Sequence, residues 1–324
     1  MLEALLQALV FPGLFFSVTM AFWFEYIERK ITARVQTRVG PLYAGPKGLL
    51  QPVYDFLKLL GKEELIPRNA DPLLFQLAPV IAVTIPVFGM TYIPVASTSM
   101  PLSFQGDVLL VLLLLALSAF TIALAGYSAT TPYTSLGVGR LLIQYSMYES
   151  VFALCIAAAA VQASALSLEG IVTYQALHGP LALYQPIGFA VALIALLAKL
   201  EKRPFDLPHA KQEIAAGWQT EFSGRSLAYL RLYSDLSMTW GISLVTTFYL
   251  GGPLGPGYPE LGPVAGFLWF GLKALLVSIA ITLVSASSGR IRAVGLARRF
   301  WGRLFPLTLI QLVLAFLLRW FVCW

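Results

Sequence analysis

Apolar positions along this chain come in long unbroken runs rather than in stripes. Eight runs can be drawn, at about 5–26, 73–94, 107–127, 141–162, 181–198, 228–250, 264–286 and 304–323. Each is near the ~20 residues that a helix needs to cross a bilayer core of about 30 Å. Only helices and closed barrels satisfy their backbone groups in lipid, and continuous runs lack the alternation of a barrel strand. The pattern predicts an all-α integral membrane protein with about eight transmembrane helices, a single polytopic domain over 1–324. The stretch "GLLQPVYDFLKLLGKEEL" is different. Leu49, Leu50, Val53, Phe56, Leu57 and Leu60 share one helical face; Gln51, Asp55, Lys58 and Lys62 share the other. Pro52 suits a first helical turn. The stretch is too short and too charged to span, so it reads as an amphipathic helix along the membrane surface, inside a 27–72 loop. A soluble helix packed on the bundle has the same periodicity. No internal repeat is present.

Composition agrees with this pattern: 58% of residues are hydrophobic and 12% charged, against about 25% charged in an average soluble domain. The placement of charge adds orientation. Of 22 Lys and Arg, eight lie between the first and second runs: Arg29, Lys30, Arg34, Arg38, Lys47, Lys58, Lys62 and Arg68. Arg140 precedes the fourth run. Lys199, Lys202, Arg203, Lys211 and Arg225 separate the fifth and sixth, and Arg290, Arg292, Arg298, Arg299 and Arg303 the last two. The segments near 95–106, 163–180 and 251–263 carry none. The positive-inside rule then puts the basic loops in the cytoplasm and both termini outside. Met1 is followed by no basic region and no small-residue cleavage site, so no removable signal peptide is expected. Cys155 and Cys323 form neither a CxxC motif nor a disulfide framework. With two His and two Cys, ordinary haem or iron–sulfur ligation is excluded, so no cofactor is expected on this chain.

Ionisable groups inside apolar runs are costly and point to function. Glu149 lies well into the fourth run, after Tyr145 and Tyr148; Lys273 is near the middle of the seventh. Glu149 reads as a proton carrier or as a structural hydrogen-bonding group, and Lys273 as a path residue or a counter-charge to an acid such as Glu149. Arg231 and Asp235, spaced i,i+4, read as a structural pair on one helix face. Glu25 and Glu28 close the first run. The loop at 199–227 contains "RPFDLPHAKQEIAAGWQTEFSG", in which Asp206, His209, Lys211, Glu213 and Glu221 crowd together. A histidine with an ordinary pKa of about 6.5 suits proton relay, and equally a helix cap or a salt bridge. A buried carboxylate leading to such a loop suggests a proton path. Asp107, Glu169 and Glu260 are given no role.

The stretch "ERKITARVQTRVGPLYAGPKGLLQPVYDFLKLLGKEELIP" (28–67) resembles the signature of a membrane-arm family of respiratory complex I, the one whose members are its H-type subunits. Glu28-Arg29-Lys30, Gln36, Arg38, Gly40-Pro41, Gly48, Leu50-Gln51-Pro52, Asp55, Lys58-Leu59 and Lys62-Glu63 match it. Tyr148-Glu149 and the 203–224 loop match further motifs in the same order. The resemblance implies eight helices, docking of a soluble redox arm, and a share in the chamber where complex I reduces quinone. It places Glu28, Arg29, Arg34, Arg38, Gln51, Asp55 and Lys58 at the chamber or docking surface. Asp206, His209, Lys211, Glu213 and Glu221 would lead toward Glu149, and Lys273 coincides with a lysine common in the seventh helix. It also implies a prokaryotic cell membrane, antiporter-like membrane partners, and iron–sulfur clusters in soluble partners, with no nucleic acid involved. Some positions depart from the quinone enzymes: Leu42 replaces an Asn, and Lys199, His209 and Lys211 replace acids. The run "SGRIRAVGLARRFW" lacks their Pro-Arg-Phe-Arg pattern. These departures resemble the membrane-bound hydrogenase and ferredoxin-driven branch, which implies a nickel–iron centre in a partner. The alternatives are a quinone-chamber subunit and a free-standing ion transporter.

Overall fold

Pro12 and Gly13 precede helix α1 (Leu14–Val35). A computed structural model describes residues 9–322 apart from 101 and 259, and without the side chains of 211, 321 and 322. Helix α1 continues nine residues past the expected end of the first run. Its charged last turns are good helix formers, and Arg29 pairs with Glu25 one turn back. The amphipathic helix α2 (Gln51–Leu60) follows. Asp71 caps α3 (Pro72–Met90) by accepting from the Leu73 and Leu74 amides at 3.0 and 3.3 Å. Helix α4 covers Asp107–Ser128 and α5 Pro132–Ala163, the latter opened by a Thr131/Thr134 capping box. At 1.5 Å per residue α5 is about 48 Å long, more than a bilayer core needs, so its first turns carry Arg140 clear of the apolar zone. Then come α6 (Leu168–His178), α7 (Pro186–Lys199), α8 (Gly224–Leu250), α9 (Gly262–Ser287), α10 (Ala293–Arg299) and α11 (Phe305–Val322). The described residues contain no strand.

Among the described residues, five helical segments are long and apolar enough to cross a membrane: Pro72–Met90, Asp107–Ser128, Pro132–Ala163, Gly262–Ser287 and Ala293–Trp320. The other three expected runs coincide with helices of a different character. Helix α7 has 14 residues, and α1 and α8 carry charges. The low apolar content of α8 has a packing reason: every residue from Leu236 to Tyr249 is buried, Trp240 and Phe248 among them. A helix enclosed by other helices can use Ser, Thr and Gly where a lipid-facing helix uses Leu. Between helices already in lipid, close fit matters more than apolar burial.

The loops rich in Lys and Arg gather at one end of the bundle. Lys202 pairs with Glu28, the Leu65 amide donates to Ser223 Oγ at 2.9 Å, and the Ile291 amide donates to the Pro204 carbonyl at 3.1 Å. Loops without basic residues gather at the other end, where the Thr98 amide donates to Tyr258 Oη at 3.1 Å and the Gly106 amide to the Leu166 carbonyl at 3.2 Å.

Helix α2 departs from its expected faces. Leu59 is buried, and Phe56 packs on Phe22, Leu232 and Leu236. Leu50, Tyr54 and Leu57 are exposed. The expected apolar face is thus split between the bundle and the outside, because Asp55 turns inward to meet Arg29 and Gln51 donates to Asp55.

Candidate functional site

At the basic end, α1, α2, α8 and the 36–48 loop enclose an open cavity of about 930 Å³. Glu25, Glu28, Arg29, Arg38, Gln51, Lys202 and Asp235 supply its charged and polar wall; Val39, Leu42 and Tyr43 supply an apolar one. The loop can fold over the cavity because Gly48 takes a left-handed φ of 83°; a Cβ there would meet the Pro41 carbonyl oxygen at 2.3 Å. Lys30 Nζ donates to that same carbonyl at 2.6 Å. Arg29 holds Glu25 and Asp55 together, reaching Asp55 Oδ2 at 2.5 Å, while Gln51 Nε2 donates to Asp55 Oδ1 at 2.9 Å. Burial pushes the Asp55 carboxyl up, but the Arg29 and Gln51 hydrogen bonds outweigh it and hold the group below its usual range.

Ser234 lines this cavity and also a smaller one of about 30 Å³ bounded by Lys199, Glu201, His209, Trp218, Tyr233 and Ser237. A third, of about 10 Å³, shares Lys199, Glu201 and Tyr233 and extends to Gln144 and Tyr148. These two are water-sized. A string of small polar spaces therefore leads from the open cavity to the residue adjoining Glu149.

The 203–224 loop feeds this string from the side. His209 Nε2 lies 2.7 Å from Glu201 Oε2, Trp218 Nε1 donates to the same oxygen at 3.2 Å, and the His209 ring packs on Trp218. Burial alone would lower the His209 pKa; the Glu201 carboxylate overrides it and raises the group above its ordinary value. Asp206 is raised by burial, an effect opposed in part by His209 and Arg290. Glu213 faces outward, where Arg140 and Arg290 hold it below the usual range.

Not every expected residue joins this arrangement. Glu149 sits on α5 with Oε2 buried and without a hydrogen-bond partner. Glu221 lies in the turn before α8, and the Lys211 side chain lies outside the described set. Arg34 and Lys58 are exposed, and Arg38 donates to Gln36 Oε1 at 2.9 Å beside the cavity. Lys273 is at the opposite end of the bundle, donating to the carbonyls of Leu250 at 2.6 Å, Gly252 at 3.1 Å and Leu254. It therefore closes the C-terminal end of α8 and has no contact with Glu149. The expected Arg231–Asp235 pair is also not formed. Asp235 turns to Glu25, Glu28 and Lys202, whereas the charge of Arg231 acts on Asp55. The i,i+4 spacing was a permissive signal only; the cation that offsets Asp235 is Lys202 in the loop after α7, and the acid that feels Arg231 is Asp55 on α2. Lys199, Glu201 and Tyr233 are the residues sequence reasoning passed over as site members. Lys199 ends α7, Glu201 lies in the turn after it and Tyr233 is in the first half of α8, so only the flanking position of the first two was a signal.

Residues 7–316 match the family model described as NADH dehydrogenase. The chain belongs to this family. Its relatives include a Rickettsia typhi protein, 36% identical over 294 residues, 90% of this chain and 87% of that one. A Thermomicrobium roseum protein is 36% identical over 315 residues, 92% of this chain and 91% of its own length. A third, from Dehalococcoides mccartyi, is 36% identical over 301 residues, covering 92% and 82%. All three are named as the H subunit of NADH-quinone oxidoreductase. Family membership agrees with the motif at 28–67, whose Arg29, Gln51 and Asp55 converge at the cavity.

Proposed function

We propose that the chain is the membrane-arm coupling subunit of a complex-I-like oxidoreductase. It docks a soluble redox arm on its basic face and links electron transfer there to ion translocation. The observation that carries this reading is the string of polar spaces from the open cavity, through Ser234 and the Lys199–Glu201–Tyr233 cluster, toward Glu149. A redox reaction at the cavity changes local charge, and paired groups along the string answer by moving protons. The cavity is roomy enough for a quinone ring, with apolar Val39, Leu42 and Tyr43 on one wall. Together with the names of the relatives, this favours a quinone as electron acceptor.

The basic loops would face the cytoplasm of a prokaryotic cell, following the charge asymmetry. The electron carriers, iron–sulfur clusters, would belong to the soluble partners, and antiporter-like subunits would adjoin the apolar flanks. Such a chain is not catalytic alone. A second reading, a membrane-bound hydrogenase type with a nickel–iron centre in a partner, is favoured by Lys199, His209 and Lys211 standing where quinone enzymes carry acids.

The test is purification of the intact complex through a tag on this chain, followed by metal analysis and assay of NADH-driven reduction of a short-chain quinone. Iron without nickel, with quinone reduction, supports the first reading. Nickel with iron and hydrogen evolution from reduced ferredoxin supports the second. A chain that purifies alone and carries ion flux in liposomes overturns both.

A further inference from the structure

Lys199 ends α7 with its side chain buried, 7% exposed, and lines both small cavities of the string. Its Nζ donates to Ser118 Oγ at 3.3 Å and lies 5.6 Å from the Trp240 ring centroid. No carboxylate lies within 4 Å of it among the described residues. Two acids nevertheless act on its charge, Glu149 on α5 and Glu201 in the loop after α7. Tyr148, Tyr233 and His209 also line these cavities; Tyr233 is in hydrogen-bond contact with Ser118 and Ser237. The buried Oε2 of Glu149 has no partner in hydrogen-bond range. A structural lysine would close onto one acid. This one is acted on by two, beside spaces that admit water.

Resting on the coupling reading above, we propose that Lys199 is a proton-relay residue, the link between the Glu201–His209 pair and Glu149. In the relay the Lys199 ammonium gives up one N–H proton and a new O–H bond forms on Glu149, leaving a neutral amine and a neutral acid. The Glu201 carboxylate then takes the proton of the His209 imidazolium, whose Nε2 is 2.7 Å from Glu201 Oε2, and the neutral acid so formed passes that proton to the amine lone pair. Each transfer moves one proton and leaves no charge unaccounted for. Lysine suits this position because a desolvated amine can release its proton, which a guanidinium cannot.

That difference supplies the test. The intact complex is purified through the tag and reconstituted in vesicles, and redox-driven ion translocation is measured per electron transferred for Lys199→Arg and Lys199→Glu. Relay predicts that Lys199→Arg, which keeps the charge, lowers translocation about a hundredfold or more, while Lys199→Glu, a different proton carrier, keeps a measurable fraction. Translocation by Lys199→Arg at the wild-type ratio overturns the relay and leaves Lys199 a fixed charge. Should the Arg variant not assemble, Lys199→Glu decides: an assembled Glu variant that transfers electrons without translocation overturns the proposal as well. Failure of the coupling reading looks different, because the wild-type protein would then bring down no redox partners.

Discussion

Arg29 on α1 donates to Asp55 Oδ2 on α2 at 2.5 Å, and this contact joins the surface helix to the wall of the large cavity. The pair is reinforced from both sides, by Glu25 on α1 and Gln51 on α2. Removing Asp55 leaves the half-buried Arg29 with one acid instead of two. Asp55→Ala should therefore loosen α2 by about 1.5–3 kcal/mol, the range for a hydrogen bond to a charged group. Hydrogen exchange should show it as faster exchange confined to residues 51–60. Unchanged protection there would mean that Phe56 and Leu59 hold the helix without the ion pair.

The His209–Glu201 pair makes the 203–219 loop sensitive to pH. The His209 pKa lies above its ordinary value because Glu201 outweighs burial, so its contribution is full below about pH 6.5 and is lost as pH rises through the folded value. Asp206, the other acid facing His209, is raised by burial. After correction for intrinsic rates, amide exchange in this loop should accelerate as pH rises above about 6.5. His209→Gln should abolish that acceleration; its persistence in the variant would assign the effect to another group.

Much of the architecture is legible in the sequence because membrane spans are a one-dimensional signal. The charge asymmetry of the loops also reappears as two distinct ends of the bundle. What is not legible is whatever depends on which helix lies inside. Helix α8 is enclosed by its neighbours, so its Ser, Thr and Gly content says nothing about lipid contact. The roles of Asp235 and Arg231 follow from charges on α1 and α2 that no local spacing reveals. Glu149 stands out as an acid in an apolar run, whereas Lys199 sits at a run's edge and passes for an ordinary flanking lysine. The three carbonyls that receive Lys273 are equally hidden, since they come from a helix end and the loop after it.

Close packing positions the loop as firmly as its charges do. Gly137 on α5 faces the backbone of Gly217 and Trp218, and a Cβ there would stand 2.5 Å from the Trp218 nitrogen. Gly137→Ala should push the 217–219 turn away and part Trp218 from Glu201. A cost of about 1–3 kcal/mol is expected, as for overpacking elsewhere. Lower thermal stability with altered Trp218 fluorescence is the expected outcome. By contrast, a Cβ on Gly139 of the same helix would meet nothing within 4 Å, so Gly139→Ala should leave both readouts in place.

Glu149 follows Tyr148, the residue at which the string of cavities ends. Its side chain can be neutralised without changing its shape, which separates packing from chemistry. In Glu149→Gln the amide fits the same space on α5 and offers Lys199 no charge, but it cannot take up a proton. The variant complex should assemble with its partners, and its redox-driven ion translocation should fall about a hundredfold or more. The measurement is translocation per electron in vesicles, with co-purified partner proteins as the control for assembly. Full translocation by an assembled Glu149→Gln complex would remove this residue from the path and leave the string of cavities without an end.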